Sequence, residues 1–183
     1  MNWFNTIAIL GAAYLAVFFQ ATFNEPRLWL GVQIDLLPSL VVYASLSSGL
    51  VTMCGVAASG GLWIDSLSAN PLGISVLPLF LVGLLIQRSR DLILREEPFA
   101  QFVLGASASA GVPLLKLLLL INTSVQPLIG WFSLWQWLVS SAAGGAVTPV
   151  WFRFFDWLGQ ALSYRPVPET SFRADREIKR GKQ

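Results

Sequence analysis

Histidine is absent from the 183-residue chain, and cysteine occurs once, at position 54. Without histidine there can be no imidazole metal ligand, no histidine general base and no Ser-His catalytic triad. A single cysteine forms neither an internal disulfide nor a cysteine metal site, and we interpret Cys54, which lies inside an apolar run, as a packing residue. The sequence therefore predicts no metal site, no cofactor and no enzymatic activity.

Charged residues are also scarce. They make up 12% of the chain, whereas hydrophobic residues make up 55% and the mean hydropathy is +0.63. A soluble domain carries about 25% charged residues, and a chain this short has too much surface to bury so many apolar side chains away from water. Eight Trp and twelve Phe suit a membrane interface, where aromatic rings collect. We predict an all-α, polytopic membrane protein.

The few charges divide the chain into six apolar stretches, which we predict to be the transmembrane helices of a compact bundle. A helix needs ~20 residues to cross the ~30 Å hydrocarbon core. The first stretch meets this length and lacks the basic start and cleavage site of a signal peptide, so we expect it to be retained. The predicted spans are about 3–22, 34–46, 50–67, 72–87, 99–121 and 134–158, within a domain of residues 1–163.

Basic residues indicate the orientation of the bundle. Ten of the twelve Lys and Arg residues follow span four or lie at the end of span six and in the polar tail of residues 164–183. Only Arg27 falls on the opposite face, and Lys116 lies within a span. Because cytoplasmic loops retain Lys and Arg, we predict that both termini are cytoplasmic. The tail either anchors this topology alone or also contacts anionic lipid or a cytoplasmic partner.

Small residues and prolines suggest how the spans pack. Small residues allow close helix approach in membranes, so spans three, five and six are expected to form the tight centre of the bundle. Prolines at 78, 113 and 149 are expected to kink spans four, five and six. The small residues, at four-residue spacing, are Gly55 and Ser59, Ala57 and Gly61, Gly105 and Ser109, Ser107 and Gly111, Ser140 and Gly144, and Ser141 and Gly145.

Two ionisable residues occupy similar depths. Spans three and five run in the same direction, and Asp65 and Lys116 lie ~22–26 Å from the starts of their spans at ~1.5 Å per residue. A charge within the bilayer is costly unless it is compensated, so one hypothesis is an intramembrane ion pair between Asp65 and Lys116. In the alternative, Lys116 extends to the interface on its long stem and Asp65 caps the turn in SLSANPLG through backbone N–H groups.

The residues around this turn resemble those of a known family. The segment GGLWIDSLSANPLGISVLPLFLVGLLIQRSRDL resembles the central signature of MreD, the rod-shape-determining membrane protein family, and the upstream DLLPSLVVYASLSSG resembles the segment that precedes it. The likeness covers about residues 34–91; elsewhere only length, span number and topology agree. Neither Lys116 nor the tryptophans at 131, 135 and 137 have a counterpart. The matching positions are Pro38, Gly61, Asp65, Pro71, Leu72 and Gly73.

The resemblance implies a non-catalytic component of the bacterial cell-elongation complex in the inner membrane, which supports lateral peptidoglycan synthesis. Such proteins associate with the bitopic protein MreC and, through it, with MreB, RodA and a class-B penicillin-binding transpeptidase. Their fold is similar to the substrate-binding subunit of energy-coupling-factor transporters. Our hypothesis is that the turn after Asp65 and the small-residue face of span three dock MreC or a synthase subunit; the alternative is a purely structural role. Membrane lipid is an expected partner, nucleic acid is not, and self-association stays open.

Two other functions remain as alternatives. A small-solute transporter or substrate-binding membrane subunit would use a cavity between kinked helices, with Asp65 or Lys116 contacting the solute. Such a cavity needs several polar residues at one depth, and beyond these two the sequence offers only Asn122 and Gln126. An intramembrane Ser–Lys enzyme would have to recruit Lys116, and no motif supports it.

Overall fold

The computed structural model describes residues 3–22, 31–68, 71–90, 97–122 and 130–162. Within these ranges the regular secondary structure consists of six α-helices with no strand, which confirms the predicted all-α class. Each predicted span overlaps one helix, while the predicted tail of residues 164–183 lies outside the described residues. The helices are α1 (Trp3–Thr22), α2 (Leu37–Ser47), α3 (Leu50–Leu67), α4 (Val76–Arg88), α5 (Pro98–Asn122) and α6 (Trp131–Leu162).

Three of these helices, α1, α3 and α5, are long and apolar enough to cross a membrane. The apolar α2 and α4 have 11 and 13 residues, which corresponds to only about 16 and 20 Å against a hydrocarbon core of ~30 Å. The sixth helix, α6, has 32 residues but is less apolar. The apolar helices indicate a membrane protein.

Helices α2 and α4 begin later than predicted, and local chemistry explains both starts. Pro38 occupies the beginning of α2, and Oδ1 of Asp35 accepts a hydrogen bond from the backbone N–H of Leu37 at 3.2 Å. Residues 71–75 form a turn, so α4 starts at Val76. Pro78 therefore falls in the first turn of α4, where a helix needs no backbone donor. The kink predicted at Pro78 is wrong, whereas Pro113 and Pro149 lie inside their helices.

The helices alternate in direction along the chain. Hydroxyls of Thr6 and Thr52, near the starts of α1 and α3, lie 3.1 Å apart. The indole N–H of Trp137, near the start of α6, donates to the carbonyl of Ala110 in the middle of α5 at 2.9 Å, and the hydroxyl of Ser141, further along α6, donates to the carbonyl of Ala106, nearer the start of α5. We call the end where α1, α3 and α5 finish and α2, α4 and α6 begin the Asp65 end, and the opposite end the Arg88 end.

The short helix α2 is the centre of the bundle. It contacts all five other helices, and its residues from Leu37 to Leu46 are buried. Tyr43 of α2 packs between Phe152 and Phe155 of α6, with ring centroids 4.9 and 4.4 Å apart. A helix that is apolar on every side belongs inside a bundle. The prediction that spans three, five and six form the centre is therefore wrong.

Helices α5 and α6 do pack closely through small residues, as predicted. A Cβ added at Gly105 would overlap the Thr148 hydroxyl, and one added at Gly144 would overlap the Ser109 side chain. Helix α3 packs instead on α1, α2 and α4. Of the three spans predicted to form the centre of the bundle, five and six pack together as expected, and α2 takes the place predicted for span three.

Candidate functional site

The carboxylate of Asp65 organises the connection between α3 and α4, which we call the Asp65 turn (Asp65 and residues 71–75). The side chain is 1% exposed. Its Oδ2 atom accepts hydrogen bonds from the backbone N–H groups of Gly73 and Ser75, both at 2.9 Å. Its Oδ1 atom accepts a short hydrogen bond from the Ser75 hydroxyl. Three donors of one turn therefore surround a single buried carboxylate, and the predicted capping role of Asp65 is confirmed.

Two glycines allow the chain to adopt the conformation of the Asp65 turn. Gly73 has a φ of +91°, a conformation that residues with a Cβ rarely adopt. A Cβ added at Gly61 would lie 2.9 Å from Cα of Val76 and 3.0 Å from its backbone nitrogen. Gly61 thus lets the start of α4 approach α3 closely enough for Ser75 to reach Asp65.

The ion pair predicted between Asp65 and Lys116 is wrong. Nζ of Lys116 lies 3.8 Å from Oδ2 of Asp35, and in the described part of the chain this is its acidic partner. The physical reason is that donors of the turn already occupy both oxygens of Asp65. In Asp35, Oδ1 caps α2 through Leu37, which leaves Oδ2 to face the ammonium group.

The Asp35–Lys116 pair lies in the wall of a half-open cavity of about 840 Å³ at the Asp65 end. The cavity is enclosed by α1, the segment of residues 31–36, and parts of α3, α5 and α6. Both charged side chains are 19% exposed. The polar side chains that line it include Gln20, Gln33, Asp35, Lys116, Gln136 and Ser140.

Hydrogen bonds hold the 31–36 segment against the helices that enclose the cavity. Oε1 of Gln20 accepts from the backbone N–H of Leu36 at 3.4 Å, and the Ser140 hydroxyl donates to the carbonyl of Gln33 at 3.3 Å. The cavity therefore has a built polar wall. The expectation that few polar residues meet at one depth is wrong.

These cavity residues are not among the predicted site residues, although the sequence carries a signal for them. Gln20 lies near the end of the first predicted span, and Asp35 and Gln136 lie near the starts of the second and sixth. Because the first span runs in the opposite direction to the other two, the predicted topology places all three side chains on the same side of the membrane. The sequence predicts Asn122 and Gln126 as the further polar residues of such a cavity. The side chain of Asn122 and the whole of Gln126 lie outside the described residues.

The small residues of α3 predicted as a docking surface are only partly accessible. Ala57 and Gly61 are buried, and a Cβ added at Gly61 would lie 2.9 Å from Val76, whereas Gly55 and Ser59 are half-buried. The signature residues of the turn are more exposed than these residues of α3. Pro71 is exposed, and Leu72 is 72% exposed.

No family model, curated protein or solved structure matches the chain. Within the described segments, no three acidic or cysteine side chains form a group that could hold a metal ion. The resemblance to the MreD signature therefore rests on the residues around Asp65 themselves.

Proposed function

We propose that this protein is a non-catalytic, MreD-type component of the bacterial cell-elongation complex in the inner membrane. The observation that carries the proposal is the Asp65 turn. Gly61, Asp65 and Gly73, which match the family signature, act together in one local structure through close packing, hydrogen bonding and a positive φ. Three signature residues with distinct roles in one turn support the proposal better than a short apolar match would.

The proposed topology has six crossings with both termini in the cytoplasm. Helix α2 is surrounded by other helices, so it need not match the lipid thickness by itself. Arg88, Arg90 and Arg153 belong to the Arg88 end, and the positive-inside rule assigns that end to the cytoplasm. The Asp65 end then faces the periplasm. A fold like that of the substrate-binding subunit of energy-coupling-factor transporters is part of this proposal.

The exposed side of the Asp65 turn is the proposed contact with MreC. Leu67 and Leu72 are 65% and 72% exposed beside the exposed Pro71, at the end where the periplasmic part of a bitopic partner would leave the membrane. Through MreC the protein would join MreB, RodA and a class-B penicillin-binding transpeptidase. The buried carboxylate would hold this apolar surface in a fixed shape.

Affinity purification in mild detergent tests the proposal. An MreC-type protein should be recovered with the wild-type chain and in smaller amount with a Leu67→Ala, Leu72→Ala double variant. Leu50→Ala is the control, since Leu50 is 50% exposed but begins α3 at the Arg88 end. Recovery of no MreC-type partner, together with normal cell shape after depletion, would refute the proposed role.

A second candidate, a solute-binding membrane subunit, is favoured by the polar cavity alone. Proteoliposomes containing only this protein would then accumulate or retain a radiolabelled small solute above the level of empty vesicles. If no solute is retained, only the first proposal stands.

A further inference from the structure

One side of α6 is exposed along almost the whole length of the helix, and we call it the outer face of α6. Its residues follow one another at intervals of three or four positions, which places them on one face of a helix. They are Trp131, Trp135, Leu138, Ala142, Ala146, Val150, Phe154 and Trp157. Six of these eight side chains are large and apolar, so water is a poor solvent for this face.

The outer face has aromatic rings at both ends and aliphatic side chains between them. Trp131 and Trp135 lie at the Asp65 end, and Phe154 and Trp157 lie towards the Arg88 end. The four residues between these pairs are only Leu, Ala and Val. Aromatic residues collect at the two interfaces of a membrane and aliphatic residues suit its hydrocarbon core, so this order is the one that a bilayer selects.

The tryptophans at 131, 135 and 137 have different roles. The half-buried Trp137 donates its indole N–H to the carbonyl of Ala110 and so joins α6 to α5. The indole N–H groups of Trp131 and Trp135 make no hydrogen bond within the described part of the chain, and the two rings are 83% and 50% exposed. An exposed ring with a free N–H suits the headgroup region, where lipid oxygens and water accept the hydrogen bond.

The spacing of the aromatic rings matches the dimensions of a bilayer. Trp135 and Phe154 are 19 positions apart, which is about 28 Å along a helix against a hydrocarbon core of ~30 Å. Trp131 and Trp157 are 26 positions apart, which is about 39 Å against ~40–45 Å for a bilayer with its headgroup regions. The inner pair thus fits the boundaries of the core and the outer pair fits the headgroups.

Charged residues follow the same boundaries. Residues 117–152 include no charged side chain, and the first charges of α6 are Arg153 and Asp156, both exposed. They lie among the aromatic residues at the Arg88 end of the outer face. The cost of a charge falls from the bilayer centre towards the interface, so these positions also indicate an interface there.

Exposed aromatic residues of other helices occur at the same two ends. At the Arg88 end, Trp3 begins α1 and Phe99 lies in the first turn of α5, whereas Phe19 lies in the last turn of α1 at the Asp65 end. Tyr14 lies further inside α1, and its ring packs against Trp63 of α3 with a centroid distance of 4.5 Å. The aromatic ends of α6 are therefore part of a pattern shared by the bundle.

We propose that the outer face of α6 contacts membrane lipid along its whole length, with Trp131 and Trp135 in the headgroup region at the Asp65 end and Phe154 and Trp157 in the headgroup region at the Arg88 end. Helix α6 is then a complete crossing, although it is not among the three described helices that length and composition identify as membrane spans. The inference rests on the crossing of α6 in the topology proposed above and does not depend on the proposed contact with MreC.

Spin labels along the outer face test the proposal. The full-length protein, in a Cys54→Ala background, carries one nitroxide-labelled cysteine and is reconstituted without MreC in vesicles of phosphatidylethanolamine and phosphatidylglycerol. At Ala142→Cys and Ala146→Cys, dissolved oxygen should relax the label several-fold more than a water-soluble nickel chelate does. Gln160→Cys is the matched control, because position 160 is exposed three residues beyond Trp157, and there the chelate should be the stronger relaxant.

Two results would overturn the lipid contact in different ways. Equal access of the nickel chelate to positions 142, 146 and 160 would show that α6 does not cross the bilayer. Labels at 142 and 146 that are shielded from both reagents would show that a second copy of the chain covers the face, while the crossing itself would stand. Neither result bears on the recovery of an MreC-type protein in the affinity purification.

The anchoring role of the tryptophans has its own measurement, with the label at Leu138→Cys. The double variant Trp131→Leu, Trp135→Leu keeps the face apolar but removes its preference for the headgroups. The start of α6 should then sink towards the core, and the ratio of oxygen to nickel relaxation at position 138 should rise. Trp3→Leu, which removes an exposed tryptophan from α1, should leave the ratio unchanged. An unchanged ratio in the double variant would overturn the anchoring role.

Discussion

Asp65 and Ser75 are joined by two hydrogen bonds, because both the backbone N–H and the hydroxyl of Ser75 donate to the Asp65 carboxylate. The two residues are ten positions apart in the chain and belong to the end of one helix and the start of the next. A buried carboxylate with three donors around it replaces the backbone partners that the chain loses when a helix stops inside a bundle. The acid in this apolar sequence is thus explained by the turn that follows it.

Replacement of Asp65 by Ala should destabilise the protein by about 2–4 kcal/mol, because the donors of Gly73 and Ser75 would be left without their acceptor in a buried site. Asp65→Asn should cost less, since one acceptor oxygen remains. Unfolding of the purified protein in detergent measures both effects. Ser66→Ala is the control: Ser66 is exposed, and its loss should change stability by no more than about 0.5 kcal/mol. Equal effects of the three variants would contradict the capping role.

Gly61→Ala should also be destabilising, by about 1–3 kcal/mol, because the new methyl group would press on the backbone of Val76. Thermal unfolding of the variant provides the measurement. Gly11→Ala is the matched control on another helix, since nothing lies within 4 Å of an added Cβ there. Alanine favours helix over glycine by up to about 1 kcal/mol, so the control should be neutral or slightly stabilising. A stabilised Gly61→Ala variant would show that α4 does not approach α3 this closely.

The contact between α5 and α6 predicts a similar contrast within one helix. Gly144→Ala would overlap Ser109 and should separate the two helices, with a loss of about 2 kcal/mol or more. Gly159→Ala, further along α6, meets nothing within 4 Å and should be tolerated. Equal stabilities of the Gly144→Ala and Gly159→Ala variants would argue against the contact.

The sequence predicted the number and approximate positions of the helices because apolar runs and charges mark them directly. It also predicted Asp65 as a cap, since the helix-breaking residues of the turn follow it immediately. It could not predict the partner of Lys116. Equal depth along two helices says nothing about rotation around their axes, and the competing donors of Ser75 become visible only when the turn is folded.

The central position of α2 could not be predicted from the sequence either. A short apolar helix can lie at the edge or in the middle of a bundle with the same composition, and only its contacts distinguish the two. Small-residue spacing likewise identified α5 and α6 as close neighbours but could not show that Gly60 and Gly61 of α3 face Leu37 and Val76.

The most direct test of the account is the side of the membrane on which each end of the bundle lies. In a Cys54→Ala background, Ser68→Cys reports the Asp65 end and Ser89→Cys reports the Arg88 end. A membrane-impermeant maleimide applied to intact spheroplasts should label position 68 at once and position 89 only after lysis. Labelling of position 89 but not of position 68 in intact spheroplasts, or recovery of the protein in the soluble fraction without detergent, would contradict the account.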